Sequence, residues 1–248
     1  MNRLKGKVAV VTGSSKGIGA GIAKALAADG ASVVVNYASS RAGADAVVAA
    51  ITKAGGKAIA VKGDVSKAAE AQGIIDAAVK NYGRLDILVN NSGVYEFSPL
   101  ESVTEEQFHR IFNINVLGAV LTTQAAIRHL GDGGSIINIG SGVSRVTPVN
   151  SSVYTGTKGA LDALTGVWAR EFGPRKIRVN SINPGMIETE GAHSAGMIGS
   201  DIEKRLIAQA PLGRTGQVQD INPIAVFLAS DDSAWLTGEL LLATGGIR

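Results

Sequence analysis

The sequence predicts an α/β fold, with one domain over residues 1–248 built on a doubly wound parallel sheet that carries helices on both faces. Apolar runs of strand length alternate with helical patterns along all 248 residues, which is typical of right-handed βαβ units. The strand runs are continuously apolar, as expected for strands that are buried on both faces. We find no linker, repeat or low-complexity segment that would divide the chain.

The predicted strands are short and rich in Val, Ile, Leu and Ala. In chain order they cover residues 8–12, 32–36, 58–62, 85–90, 135–139, 177–182 and 240–243. Helices are predicted between them: one stops at Asp29-Gly30, one spans 44–54, and one starts at Thr104 with Gln107 at a capping-box spacing. Residues 190–216 form a polar, glycine-containing excursion that we interpret as a substrate lid.

The composition argues against several classes of protein. The formal net charge is only +3 and the cations are scattered, so no nucleic-acid partner is expected. The chain has no cysteine, which excludes disulfides and thiolate metal sites, and we predict no metal site. It starts without a long apolar stretch and has no window long enough to span a membrane. We therefore expect no membrane partner and a cytoplasmic location.

A glycine-rich loop follows the first predicted strand and reads Thr12-Gly13-Ser14-Ser15-Lys16-Gly17-Ile18-Gly19. Its glycines would let the chain turn and approach a pyrophosphate, and the helix that follows would offer free N–H groups and a positive dipole end. The spacing G-x-x-x-G-x-G differs from the commoner G-x-G-x-x-G. Its place after the first strand favours a dinucleotide-binding interpretation over a simple chain reversal.

The end of the second strand indicates which dinucleotide. An NAD enzyme usually places Asp or Glu there, about 20 residues beyond the loop, whereas this chain has Asn36-Tyr37-Ala38-Ser39-Ser40-Arg41. No carboxylate is present to repel a 2′-phosphate, and Lys16, Arg41 and the serines would receive it through charge-assisted bonds. The predicted cofactor is NADP, with use of NAD left open.

Tyr154 and Lys158 are four residues apart at the start of a predicted helix, so both lie on one face of it. A free phenol has a pKa near ~10, and a neighbouring ammonium favours the phenolate and lowers that pKa toward the working range. Tyr154 would then protonate a carbonyl oxygen as hydride reaches the carbon.

Two further polar residues are candidates for the same site. Ser141 follows a predicted strand, at the edge of the sheet where ligands bind in open α/β folds, and would hold the substrate oxygen. Asn115 lies mid-helix between apolar residues, although Asn is a poor helix former. Two interpretations stay open for it: a structural Asn bonded back to its own helix, or a holder of water that passes protons to Lys158.

These motifs together resemble those of the short-chain dehydrogenase/reductase family. The loop 12–19, Asn90-Asn91-Ser92-Gly93, Asn115, Ser141, Tyr154-x-x-x-Lys158 and Asn183-Pro184-Gly185 occur in the family's order and spacing over essentially the whole chain. Within the family the chain looks most like the branch of 3-oxoacyl-acyl-carrier-protein reductases, glucose dehydrogenases and trihydroxynaphthalene reductases.

The resemblance implies a single Rossmann domain with seven parallel strands, usually assembled as a homotetramer. It implies that Tyr154 is the acid/base, that Lys158 lowers its pKa and binds the nicotinamide ribose, that Ser141 orients substrate and that Asn115 completes a proton relay. It also assigns cofactor contacts to Asp64 and Val65 at the adenine, to Asn91 and Gly93 in the cleft, and to Pro184, Gly185, Ile187 and Thr189 at the nicotinamide.

The chain departs from the family pattern in three places. Ser92 stands where Ala is common, Pro223 is expected to kink the last helix, and Ala243-Thr244-Gly245-Gly246 replaces the usual Val-Asp-Gly-Gly. The last change removes an acid, which puts a polar contact near the C-terminus, and with it subunit packing, in question.

The function predicted from these residues is an NADP-dependent oxidoreductase acting on a small-molecule carbonyl or secondary alcohol, as a ketone or 3-oxoacyl reductase. A sugar or alcohol dehydrogenase working in the oxidative direction is an alternative, and a non-catalytic NADP-binding scaffold is another. An acyl carrier protein as partner would need a basic docking patch. Arg128, His129 and Arg175 are candidates, but Asp132 lies close to the first two in sequence, so this partner stays open.

Overall fold

The computed structural model describes residues 2–248, which form a seven-stranded parallel sheet with helices on both faces. The sheet strands are β1 (Val8–Val11), β2 (Ser32–Tyr37), β3 (Lys57–Lys62), β4 (Leu85–Asn90), β5 (Leu130–Ile139), β6 (Arg178–Pro184) and β9 (Leu240–Ala243). Their order is β3-β2-β1-β4-β5-β6-β9. Because the order reverses beside β1, the carboxyl ends of β1 and β4 flank a crevice, where ligands bind in doubly wound folds. The predicted fold class is confirmed.

Helices connect the strands and also form most of the excursion before the last of them. They are α1 (Gly17–Ala28), α2 (Arg41–Lys53), α3 (Ala68–Tyr82), α4 (Glu105–Phe112), α5 (Gly118–Ala126), α6 (Val143–Val146), α7 (Ser152–Phe172), α8 (Glu190–Ser194), α9 (Asp201–Gln209) and α10 (Val218–Ala229). A short strand pair, β7 (Ile187–Glu188) with β8 (Gly216–Gln217), closes the base of the excursion.

Two apolar cores cover the two faces of the sheet. One core packs α1, α2 and α10 against the sheet, with Ile22, Val47 and Val226 among its buried members. The other packs α3, α5 and α7 against the opposite face, with Ile74, Ala125 and Trp168 buried in it. Burial on both faces explains why the central strands are continuously apolar.

The two edge strands depart from that pattern. Strand β3 has exposed ends and a half-buried middle, and β9 is also half-buried, with Leu242 exposed. The expectation of burial on both faces is therefore wrong for these two strands, because each has a neighbour on one side only.

Two predicted helix features come out differently from their sequence signals. Thr104 caps α4 by accepting from the Gln107 backbone N–H, but the Gln107 side chain donates to Ser98 Oγ at 2.9 Å, so the capping box is half formed. Pro223 lies within α10, which continues as one helix from Val218 to Ala229. Among residues 2–248, none of the helices has both the length and the apolar character needed to cross a membrane.

Candidate active site

The carboxyl ends of β1, β4, β5 and β6 bring the predicted site residues together at one edge of the sheet. The loop after β1 and the first turn of α1 hold Gly13 to Gly19, the loop after β4 holds Asn91 and Gly93, and Ser141 follows β5. Helix α7 carries Tyr154 and Lys158 in its first two turns. The 184–189 segment after β6 completes the edge.

The glycine loop brings the start of α1 close to the loop after β4. A Cβ on Gly19 would lie 2.7 Å from the Gly13 carbonyl oxygen and would overlap the Asn91 side chain, so only glycine fits there. The Asn91 side-chain amide donates to the Thr12 and Gly13 carbonyls, at 2.9 Å each. The two loops are thereby fixed against each other before any ligand arrives.

The start of α1 already holds an anionic group. The N–H of Gly17 donates to Glu190 Oε2 at 3.0 Å, and Thr189 lies 3.5 Å from where a Gly17 Cβ would be. Glu190 opens α8, so this contact joins the excursion to the glycine loop. Nothing in the sequence indicates it, because the two residues are 173 positions apart.

Asn36 braces the glycine loop from behind. Its side chain is 1% exposed; Oδ1 accepts from Gly13 N at 3.0 Å, and Nδ2 donates to the carbonyls of Val61 and Gly63. Both polar atoms of the amide therefore bond to groups inside the protein, and the side chain does not face the cleft. Tyr37 is also buried, while Ala38, Ser39, Arg41 and Lys16 are exposed, so the exposed residues are the ones that a 2′-phosphate would meet.

The residues predicted to meet the adenine are held by local contacts. Asp64 Oδ1 accepts from the backbone N–H and the hydroxyl of Ser66 at 3.0 and 2.7 Å. Val65 is buried and packs against Gly118, where a Cβ would come within 3.1 Å of the valine Cβ. Ile18 packs against the apolar core below the loop.

Ser141, Tyr154 and Lys158 converge above the end of β5. The Ser141 hydroxyl lies close enough to Tyr154 to affect the pKa of its phenol. Lys158 Nζ donates to the Ile139 carbonyl at 2.8 Å and lies 5.8 Å from the centre of the Tyr154 ring. Lys158 and Ser141 are buried and Tyr154 is half-buried. A hydroxyl, a phenol and an amine thus share one desolvated pocket.

Burial shifts the pKa values of this group. Desolvation lowers the pKa of Lys158 from 10.5 to about 8, and the negative charge of Asp162 opposes that shift. Burial raises the pKa of Tyr154, while the Ser141 hydroxyl lowers it and Tyr95 raises it. The sequence predicts the opposite direction for Tyr154. In the structure the Lys158 amine donates to the Ile139 carbonyl, and desolvation is the largest cause of the Tyr154 shift.

Asn115 lies in a π-helical turn, Asn113–Leu117, between α4 and α5, a local irregularity that is frequent at functional sites. Its Oδ1 accepts from Val94 N at 2.8 Å, and Nδ2 donates to Val94 O at 2.8 Å and Thr157 Oγ1 at 3.1 Å. The interpretation as an Asn bonded back to its own helix is therefore wrong. The side chain holds the loop after β4 against α7, and both of its polar atoms already have hydrogen-bond partners within the protein.

Three aromatic rings border the site. The ring centroids of Tyr95, Phe97 and Tyr154 are 6.0–6.2 Å apart in all three pairs, and Tyr95 Oη donates to the Gly191 carbonyl at 3.0 Å. The loop after β4 therefore touches the excursion directly over Tyr154. His193, also on the excursion, is exposed and paired with Glu188 at 2.9 Å.

Thr244, which departs from the family pattern by replacing an acid, makes a hydrogen bond within the C-terminal segment. Thr244 donates to the Ile247 carbonyl at 2.7 Å, so a polar contact near the C-terminus persists without the acid.

The cations considered for binding an acidic partner also have local contacts. Arg175 donates to the carbonyls of Ile127 and Leu130 and pairs with Asp132. His129 faces Asp76. These cations lie at the start of β5, away from the site, and are partly neutralised, which does not favour a docking patch for an acidic carrier protein.

Comparisons with known proteins identify the family. A family model described as enoyl-(acyl carrier protein) reductase matches residues 13–248. An uncharacterized oxidoreductase of Methylorubrum extorquens is 65% identical over 248 residues, which is the full length of both chains. The chain belongs to the short-chain dehydrogenase/reductase family. Members of this family are oxidoreductases that bind nicotinamide cofactors, so the chain is an enzyme rather than a non-catalytic scaffold.

Other short-chain dehydrogenases/reductases resemble it over nearly their whole length. A hydroxynaphthalene reductase-like protein of Metarhizium brunneum is 42% identical over 98% of this chain and 95% of its own. A short-chain dehydrogenase from Burkholderia cenocepacia in complex with NADP has a TM-score of 0.94 at 36% identity, with 99% of both chains covered. A blue fluorescent protein from a metagenomic library, in complex with NADPH, has a TM-score of 0.93 at 37% identity, with both chains fully covered.

Proposed function

We propose that this protein is an NADPH-dependent carbonyl reductase that converts an apolar, ring-containing ketone to the secondary alcohol. The observation that carries the proposal is the desolvated group of Ser141, Tyr154 and Lys158 at the carboxyl end of β5. Burial raises the pKa of Tyr154, so the phenol is protonated at neutral pH, which is the form that can donate a proton to a carbonyl oxygen.

The reaction follows from the roles of these three side chains. When bound, NADPH supplies the hydride that adds to the carbonyl carbon. The Ser141 hydroxyl donates a hydrogen bond to the carbonyl oxygen and holds it beside Tyr154, whose phenolic proton moves to that oxygen as the alcohol forms. The Lys158 ammonium then stabilises the phenolate until a proton from water restores it. Asn115 supports this arrangement by fixing the loop after β4 against α7.

The residues present fit the cofactor. The Gly17 N–H donates to a carboxylate oxygen in the structure, so this helix terminus binds negatively charged oxygen as a pyrophosphate would require. The exposed segment after β2 carries no carboxylate before Asp45 and offers Ser39, Arg41 and, across the loop, Lys16, which favours NADP over NAD. The remaining cofactor contacts we propose are Gly13, Ser15, Ile18, Gly19, Asp64, Val65, Asn91, Gly93, Pro184, Gly185, Ile187 and Thr189.

The aromatic border supports the choice of substrate. Tyr95, Phe97 and the Tyr154 ring present apolar surface at the mouth of the site, and flat rings pack on such surfaces with favourable stacking geometry. A relative named hydroxynaphthalene reductase-like is 42% identical. We interpret residues 190–216 as the lid over this substrate, because Tyr95 is bonded to Gly191 at its start.

We also propose that the enzyme is a homotetramer. Trp235, in the segment after α10, is 98% exposed, and Leu242 is exposed on the edge strand β9, while Phe108, Leu117 and Val167 are exposed on the helices of one face. Large exposed apolar side chains on two separate faces are typical of subunit interfaces, and two isologous contacts generate a closed tetramer.

The test is turnover with a panel of substrates. We expect NADPH oxidation with bicyclic aromatic ketones, and expect Tyr154→Phe to lower kcat by about 10²–10⁴-fold while NADPH still binds. Tyr82→Phe is the matched control, because Tyr82 ends α3 at the opposite edge of the sheet. Turnover of sugars or alcohols with NADP⁺, without any ketone reduction, would favour the oxidative alternative. Tighter binding of NADH than of NADPH would overturn the cofactor assignment.

A further inference from the structure

A carboxylate that the reaction scheme does not use lies one helical turn beyond Lys158. Tyr154, Lys158 and Asp162 follow each other at intervals of four residues on α7, so the three side chains share a face of that helix. Asp162 Oδ1 accepts from the side-chain amide of Asn183 at 2.9 Å. Asn183 belongs to β6 and is completely buried.

The carboxylate decides how the Asn183 amide is oriented. A carboxylate can only accept hydrogen bonds, so the NH₂ group of Asn183 must face Asp162, and Oδ1 then accepts from Ser181 Oγ at 2.6 Å. Asn183 Nδ2 also approaches Ser144 Oγ at 3.4 Å, and that hydroxyl donates to the carbonyl of Ser141 at 3.0 Å. A chain of hydrogen bonds therefore runs from Asp162 to the backbone of the serine that would orient the substrate.

The same amide also packs against the residue before Ser141. A Cβ on Gly140 would lie 2.7 Å from Asn183 Cγ and 2.8 Å from Ser181 Oγ, so the backbone of β5 passes directly over this network. Ile139, one residue earlier, supplies the carbonyl that Lys158 donates to. The position of Asn183 thus bears on both Ser141 and the acceptor of the Lys158 amine.

Asp162 also acts on Lys158 through its charge, because the two residues lie one helical turn apart on α7 and the carboxylate raises the Lys158 pKa that burial lowers. The other ionisable groups around the amine are Tyr154 on its own helix and Tyr95 beyond it, from the loop after β4. Strand β5 contributes the Ile139 carbonyl and β6 the neutral Asn183 amide. Removing the Asp162 charge leaves the buried amine with no negative partner.

We propose that Asp162 is a positioning residue of this site: it orients Ser141 through Asn183 and Ser144, and its charge keeps Lys158 in the ammonium form. The inference rests on the roles of Ser141 and Lys158 in the proposed function. It adds a residue that acts through others and that touches neither substrate nor cofactor.

Two substitutions separate the two effects. Asp162→Asn removes the charge but keeps an oxygen that can accept from Asn183, whereas Ser144→Ala breaks the link to Ser141 and leaves the charge in place. Glu171→Gln is the matched control, because Glu171 is an exposed carboxylate near the far end of the same helix. Thermal unfolding of each variant checks that it is folded, and Asp162→Glu, which retains the charge, is the rescue variant.

The first readout is an NMR titration of Lys158 in the cofactor-free, lysine-labelled protein. We expect Asp162→Asn to move the Lys158 titration to lower pH by roughly one unit, Asp162→Glu to restore it, and Ser144→Ala and Glu171→Gln to leave it unchanged. A Lys158 titration in Asp162→Asn identical to the wild type overturns the electrostatic half of the proposal. Because no turnover is needed, this result stands even if no ketone is reduced.

The second readout is the kinetics of ketone reduction. We expect Ser144→Ala to lower kcat about threefold to tenfold at an unchanged KM, and Asp162→Asn to move the alkaline limb of kcat/KM to lower pH, in the same direction as the NMR titration. An unchanged kcat in Ser144→Ala overturns the orienting half. Absence of turnover in the wild type would refute the proposed function, while the titration would still decide the role of the Asp162 charge.

Discussion

At the scale of single residues, the site is shaped by polar side chains whose hydrogen-bonding atoms already have partners within the protein. Asn36 bonds backbone groups of the glycine loop and of the chain at the end of β3, and Asn115 bonds the Val94 backbone and the Thr157 hydroxyl. Because both side chains are buried, losing these hydrogen bonds would leave polar groups without partners, at a cost in folding free energy. Glu190 differs, since its bond to Gly17 is exposed and so can be exchanged for another anion at low cost.

We therefore expect Glu190→Ala to bind NADPH about threefold to tenfold more tightly, because the pyrophosphate would no longer compete with a carboxylate at the positive end of α1. In the wild type the pyrophosphate would have to displace the Glu190 side chain. That side chain has room to move, because a cavity of about 690 Å³, lined in part by Gly17, Thr189, Glu190 and His193, lies beside the contact. Fluorescence titration with NADPH measures the affinity, with Glu171→Ala as control. Weaker binding by Glu190→Ala would show that the carboxylate assists the cofactor.

At the scale of elements, the ends of helices and strands are held by a few buried polar groups. Arg178, at the first position of β6, donates to the carbonyls of Leu228 and Ser230 at 2.8 and 3.0 Å and to Ser233 Oγ at 2.6 Å. These acceptors belong to the end of α10 and the turn after it. A cation there satisfies carbonyls that the helix itself leaves free.

Arg178→Leu is expected to lower the free energy of unfolding by about 2–4 kcal/mol, because it removes three buried, charge-assisted hydrogen bonds between β6 and the end of α10. Urea unfolding at matched protein concentration measures the change. Arg170→Leu, at an exposed position on α7, should stay within about 0.5 kcal/mol of the wild type. If both variants unfold at the same urea concentration, the Arg178 contacts contribute no net stability.

At the scale of the whole molecule, the sheet places the chemistry at one edge and leaves apolar surface on others. The exposed Trp235 side chain follows α10, and Leu242 lies on the edge strand β9. An edge strand with apolar side chains is an association surface unless something covers it. A second copy of the chain would cover it and would lie on the side of the C-terminal segment.

We expect Trp235→Glu to convert the proposed tetramer to a smaller assembly, because a buried interface cannot accommodate an unpaired carboxylate without a large desolvation cost. Light scattering coupled to gel filtration gives the mass, and Trp235→Phe, which keeps an apolar ring, should remain tetrameric. A wild-type protein that elutes as a monomer would contradict the proposed assembly, and an unchanged tetramer in Trp235→Glu would place the interface elsewhere.

The sequence by itself determined the strand and helix alternation, the parallel sheet, the glycine loop and the Tyr154–Lys158 pair. These features depend on local periodicity and on short spacings, which can be recognised directly in the sequence. The family followed from the order of the motifs, and the comparisons confirm it.

Only the tertiary structure decided how the side chains pair. Glu190 meets Gly17 across 173 positions and Asp162 meets Asn183 across 21, and no local pattern encodes either contact. The same holds for the direction of the Tyr154 pKa shift, because the spacing of Tyr154 and Lys158 predicts an ammonium nearby, whereas folding buries the phenol and turns the ammonium toward Ile139. Desolvation depends on the whole surrounding shell, and that shell exists only once the strands and helices have packed.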